Sequence, residues 1–158
     1  MALYAIGDLH LSLNSNKSME VFGPAWENYT ERIRASLSQL TAEDVLVLVG
    51  DTSWGMSLEE SVEDFRFLEQ FPCKKYLIKG NHDYWWNTVS KMKRMTDNAF
   101  EFIFNSALSV ENIALAGTRG WIPETSKKIT EEDKVIILRE QGRLELSLIH
   151  ISEPTRHL

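Results

Sequence analysis

Val45-Leu46-Val47-Leu48-Val49-Gly50-Asp51 decides the fold class. Five apolar side chains stand in a row with no polar alternation. A strand with one wet face alternates, so an unbroken apolar run implies burial on both faces, as in a sheet covered by helices. The Gly-Asp that follows puts a carboxylate at the carboxyl end of the strand, where open α/β sheets gather ligands. Two other apolar runs end in the same manner. Leu3–Ile6 leads into Gly7-Asp8-Leu9-His10, and residues 76–78 lead into Gly80-Asn81-His82-Asp83.

Helical patterns separate these strands. Residues 12–24 are polar and end in Gly23-Pro24, which suits a loop with proline at a helix start. Trp26, Tyr29, Ile33, Leu37 and Leu40 then recur at three- and four-residue steps, one face of an amphipathic helix. Ser57-Leu58-Glu59-Glu60 is a capping-box pattern, followed by an apolar face of Val62, Phe65 and Leu68, with Pro72 at its end. Trp85, Val89, Met92 and Met95 predict a third helix. Residues 100–104 and 113–116 read as strands with no long helix between them. Thr130 and Asp133 are placed to cap a last helix carrying Val135, Leu138 and Leu144, with Glu131-Glu132-Asp133 as its acidic first turn. The order β-α-β-α-β-α followed by two strands predicts an α/β core sheet with helices outside.

The chain has 158 residues, enough for one domain with a hydrophobic core. A formal charge of −6 gives it no bulk attraction for nucleic acid or anionic membrane. The lone cysteine, Cys73, excludes an internal disulfide and suits a reducing, cytoplasmic setting. No apolar stretch reaches membrane-spanning length, and no signal peptide is evident.

Each motif carries chemistry. Asp8 and His10 stand at i and i+2, which on an extended strand end points both to one side, where together they can hold a cation. A mixed oxygen and nitrogen set suits manganese, iron or zinc. Alone, Asp-x-His reads equally as a structural pair, and Asp51 alone reads more readily as a turn aspartate. Gly80-Asn81-His82-Asp83 is more specific: four fixed residues at about 5% usage each arise by chance in roughly one chain per thousand of this length. Asn81 offers a neutral carbonyl oxygen. His82 can place a donor on a developing negative charge or on a leaving-group oxygen. Asp83 can orient that imidazole through its other nitrogen. Arg119, between two glycines, reads either as a phosphate-binding arginine or as an exposed loop residue. Trp54, Trp85, Trp86 and Trp121 read as core or lid packing before they read as a stacking wall.

The three motifs in order resemble the calcineurin-like metallophosphoesterase superfamily, whose pattern runs Asp-x-His, Gly-Asp, Gly-Asn-His-Asp/Glu, Gly-His and Gly-His-x-His. The stretches 51–60, 80–86 and 117–121 further resemble a bacterial branch of predicted phosphohydrolases. The resemblance covers about residues 1–145. It implies a four-layer α/β/β/α sandwich, here partial and truncated at the C-terminus, and hydrolysis of a small phosphomonoester or phosphodiester at a centre of two divalent metal ions. By the same resemblance Asp8 and His10 bind the first ion, Asp51 bridges both, Asn81 binds the second, and His82 acts near the leaving group or the transition-state oxygens. The two histidine-bearing blocks are absent from this chain. Negligible turnover is therefore expected of these 158 residues, and the alternative description is an inert metal-binding fragment or a non-enzymatic metal-binding protein.

Residues 146–156 resemble one translated frame of a transposase-end sequencing adapter. The expectation is a native domain over 1–145 and a non-native tail over 146–158, so that His150 and His157 are not assigned as ligands.

Overall fold

The computed structural model describes residues 1–15, 17–122 and 129–152, the side chains of His150 and Ser152 excepted. Four parallel strands form the central sheet in the order β1 (Leu3–Ile6), β2 (Val45–Leu48), β3 (Lys74–Ile78) and β4 (Phe100–Ile103). Helices α1 (Tyr29–Leu37), α2 (Val62–Glu69) and α3 (Val89–Met95) make the crossovers. A hairpin of β5 (Ser106–Val110) and β6 (Ile113–Gly117) follows, then the long helix α4 (Glu131–Ser152).

Strand β2 is buried along its whole length, as its composition requires. Alternation sorts its side chains between two cores. Leu46 and Leu48 join Leu77, Phe100 and Phe102 in the larger core, against Leu37 of α1, Phe65 and Leu68 of α2, and Met92 of α3. Val45 and Val47 face the other way, with Tyr76 and Ile78, and pack against Leu108, Val110 and Leu115 of the hairpin. Helix α4 lies on the hairpin. The layers therefore run helices, parallel sheet, hairpin, helix: α/β/β/α. Because every strand of the main sheet points the same way, the loops after β1, β2 and β3 emerge at one edge.

Several elements differ from the sequence expectation, each for a local reason. Helix α1 begins only at Tyr29, because Asn28 takes a left-handed conformation (φ 52°) and Pro24–Trp26 forms a separate 3-10 turn. Met19–Phe22, expected as loop, is another such turn. The Ser57 hydroxyl does accept the Glu60 amide, but that turn does not propagate, and α2 starts at Val62. Trp85 lies outside α3, whose N-cap is Thr88. Strand β5 was not anticipated: two serines interrupt its Ser-Ala-Leu-Ser-Val sequence, and it is held by pairing with β6 and by Leu108 and Val110 packing on the main sheet. Thr130 and Asp133 form the reciprocal capping pair, with Asp133 N donating to Thr130 Oγ1 (3.2 Å) and Thr130 N to Asp133 Oδ2 (2.9 Å). Val135 and Leu138 are exposed, however. The inner face of α4 is instead Ile136, Ile137, Glu140, Leu144 and Ser147. The helix runs without a break through 146–152.

Buried Glu140 anchors α4. Its carboxylate accepts the Thr118 hydroxyl, Arg139 (3.1 Å) and Arg143 (2.8 Å). Burial pushes its pKa up, but the Thr118 hydrogen bond and the two arginines outweigh that and hold it below the ordinary glutamate value.

Candidate metal centre

The loop after β1 is stitched to the loop after β2. Asp8 N donates to Gly50 O (3.1 Å), His10 N to Asp51 O (2.9 Å) and Leu11 N to Thr52 O (3.0 Å). Asp8 and His10 do not lie on an extended strand end as expected. Both have left-handed backbones (φ 53° and 44°), and so does Asp51 (φ 50°). Aspartate and histidine tolerate that region better than most side chains do. The left-handed turns aim the three side chains toward one another. His10 Nε2 stands 3.7 Å from Asp8 Oδ1 and 3.9 Å from Asp51 Oδ2, and one donor atom from each residue lies within 4.8 Å of the others.

These separations are too long for hydrogen bonds. Two ligands at about 2.1 Å from one ion stand at most about 4.2 Å apart, and both His10 pairs fall within that reach. The donor set is two carboxylates and an imidazole, which suits a borderline divalent ion. Three buried side-chain atoms of the described residues lack a hydrogen-bond partner: His10 Nδ1, Thr52 Oγ1 and Arg119 Nε. All three belong to loops around this centre. The donor set, with His10 Nε2 facing both carboxylates at non-hydrogen-bonding distance, fits a metal. His10 and Asp51 are buried, whereas the Asp8 side chain is 77% exposed and leaves the centre open on one side.

The third motif joins the second through its backbone. His82 N donates to Asp51 Oδ1 at 2.8 Å, leaving Oδ2 facing His10. Gly50 (φ 103°) and Gly80 permit this approach: a Cβ on Gly50 would lie 2.7 Å from Gly80 Cα, and one on Gly80 would collide with the Asp51 carboxylate and amide. Asn81 sits half-buried between Gly80 and His82 in this same turn. The His82 ring is 6.3 Å from that of His10.

Asp83 takes a different part from the one expected. Its nearest polar partners are not the His82 imidazole. Its carboxylate, 2% exposed, accepts Asp51 N (2.9 Å), Thr52 N (2.9 Å), Gly80 N (2.7 Å) and Trp85 Nε1 (2.9 Å). Burial pushes its pKa up, and the amide bonds from Gly80 and Thr52 oppose that. The His82 ring instead has the Tyr84 hydroxyl 3.4 Å from Nδ1.

Arg119 is brought to the edge of this centre. Gly120 N donates to Lys79 O (3.0 Å), and Gly120 abuts the Gly80 Cα. The Arg119 guanidinium lies over Trp121 at 4.5 Å. Burial, and then the Arg119 charge, lower the Lys79 pKa.

The sequence reading missed Asp64, and took Tyr29 for a helix-face residue and Trp54 for packing before a stacking wall; all three support the centre. Asp64 on α2 is buried and accepts Ser53 Oγ (2.5 Å) and Leu13 N (2.8 Å), tying the first two loops to the helix. Burial raises its pKa. It stands four residues before Leu68, on the apolar stripe, and that placement was the available signal. The buried Tyr29 hydroxyl donates to His10 O (3.1 Å). Trp54 stacks on His10, with ring centroids 4.8 Å apart and planes 26° apart. Cys73 is buried, and burial raises its pKa, so it is a packing residue. No described helix is long and apolar enough to cross a membrane.

A fold of this kind, with acidic and imidazole groups gathered at the strand ends, defines a metallophosphoesterase-type α/β protein. Residues 1–150 match the model of the calcineurin-like phosphoesterase family, and the chain belongs to that family. It is similar in fold to the crystal structure of the protein of unknown function AQ665 from Aquifex aeolicus. The identity is 22%, the match covers 97% of this chain and 74% of that one, and the TM-score is 0.52. No curated protein matches the chain.

Proposed function

We propose that the centre formed by Asp8, His10 and Asp51 binds divalent metal, manganese, iron or zinc, and serves the hydrolysis of a small phosphoester in the cytoplasm. The convergence of the three donor atoms within 4.8 Å carries this reading. Asp8 and His10 would hold one ion and Asn81 a second, with Asp51 contributing its carboxylate to both. When bound, the metal supplies Lewis-acid polarisation of phosphoryl oxygens and of the attacking water.

The chain's own residues do the rest. Asp51 Oδ1 is held by the His82 amide, so Oδ2 stays turned toward His10. His82 donates a proton to the leaving-group oxygen, and Arg119 orients a phosphate oxygen through its forked donors. Asp83 is a positioning residue: it holds the second and third loops in register and does not touch substrate. The net charge of −6 disfavours long nucleic acid as the substrate.

Titration calorimetry with manganese, followed by an assay on 4-nitrophenyl phosphate and bis(4-nitrophenyl) phosphate, tests the reading. Manganese binding that is lost in His10→Ala, together with the loss in that variant of any manganese-dependent turnover, supports it. Absence of binding by manganese, zinc and ferrous iron alike overturns it.

A further inference from the structure

Beside the metal centre lies a cavity of about 310 Å³ walled by Lys17, Ser18, Val21, Phe22 and Trp54. Its walls are unlike those of an ordinary surface dimple. Val21 and Phe22 are 79% and 67% exposed, although each is a large apolar side chain. The 3-10 turn that carries them buries only Met19, whose sulfur accepts the Trp54 indole N–H at 3.2 Å. That bond fixes the Trp54 ring at the boundary between cavity and centre. The ring is 4.8 Å from the His10 ring, 6.2 Å from the His82 ring and 5.9 Å from the Lys17 ammonium.

We propose that this cavity is the leaving-group subsite, and that the substrate is a phosphoester whose leaving group is aromatic or otherwise bulky and apolar. The inference rests on the phosphoester reading of the centre. Its own support is positional. His82, the proton donor to the leaving oxygen in that reading, must lie beside the leaving group, and Trp54 is the residue that touches both His82 and the cavity. The larger cavity of about 480 Å³ on the α1 side meets the centre at Asp8, away from Trp54 and His82, and the Arg32 guanidinium at its wall is bound to Ala25 O at 2.7 Å. A ring placed against Trp54 gains offset stacking and buries the Phe22 ring edge. Lys17 adds a positive charge at the rim, on the path of an anionic phosphate.

The test uses two non-hydrolysable probes, methylphosphonate and 1-naphthylmethylphosphonate, titrated calorimetrically into manganese-loaded protein. They share the phosphonate and differ in the apolar group. The naphthyl probe is expected to bind at least tenfold more tightly, from the apolar area it removes from water. In Phe22→Ser, an exposed position that the fold tolerates, that preference falls below threefold. In Val135→Ser, on the exposed face of α4, it stays at tenfold or more. Equal affinity for the two probes in the wild type, or an unchanged preference in Phe22→Ser, overturns the subsite while leaving the phosphoester reading intact. Failure of manganese-loaded protein to bind either phosphonate overturns both.

Discussion

The Asp83 carboxylate receives the Asp51 amide at 2.9 Å, so a residue of the third motif fixes the backbone of the second. The same carboxylate takes up the Thr52 and Gly80 amides and the Trp85 indole. Replacement by alanine leaves these buried donors unmatched, at about 1–3 kcal/mol apiece before relaxation. Asp83→Ala is expected to cost about 3–5 kcal/mol in all. Urea denaturation measures it. A change under about 1 kcal/mol would show that the loops hold themselves without this carboxylate.

Gly80 and Gly142 should respond to alanine with opposite signs. A methyl group on Gly80 strikes the Asp51 carboxylate, and overpacking of this sort costs about 1–3 kcal/mol. Gly142 lies within α4, and a Cβ there meets nothing within 4 Å. Gly142→Ala gains helix propensity and should stabilise by about 0.5–1 kcal/mol. Thermal melts of the two variants, compared with wild type, decide both.

Metal should stabilise the folded chain by mass action. Manganese at a hundredfold excess over its dissociation constant adds about 2.7 kcal/mol. That corresponds to a rise in Tm of several degrees for a chain of this size. His10→Ala should melt at the same temperature with and without manganese. A full manganese shift in that variant would place the ion elsewhere.

Glu140 gives a pH-dependent signature. Its folded pKa lies below the unfolded one, so its contribution is fully present above the unfolded value, about 4.5, and is lost as pH falls through the lower folded value. The stability gap between wild type and Glu140→Gln should be about 1.5 kcal/mol and flat from pH 7 to about pH 5.5. It should close in more acidic solution. Urea unfolding across that range measures it. A gap that widens on acidification would contradict the assignment.

Strands β1 to β3 were legible as short apolar runs, although only β2 is buried throughout: β1 is a largely exposed edge strand and β3 opens on two lysines; the motif loops were legible because each follows such a run. The joining of Asp8, His10 and Asp51 was foreseeable as an outcome, but not by the route it takes. Extended geometry was expected, and left-handed residues do the aiming, because amides of the first loop bond to carbonyls of the second. Those bonds link residues about forty positions apart, and no local pattern reports them. Trp85 fell on a helical period with Met92, yet the indole was drawn to the Asp83 carboxylate, and α3 began later. Asp64 shows the converse: an acid on an apolar stripe is a legible anomaly once Leu68 fixes the face. Val135 and Leu138 misled because α4 turns Glu140 inward, where two arginines and a threonine neutralise it.

Asp8, His10 and Asp51 all hold backbone angles that glycine would adopt at less cost. Thermal robustness and ion capture therefore pull these positions in opposite directions. A library of variants screened for heat resistance alone should accumulate glycine at the very sites that a screen for manganese retention preserves, and comparing the two enrichment profiles would map where this fold gives up rigidity to keep its chemistry.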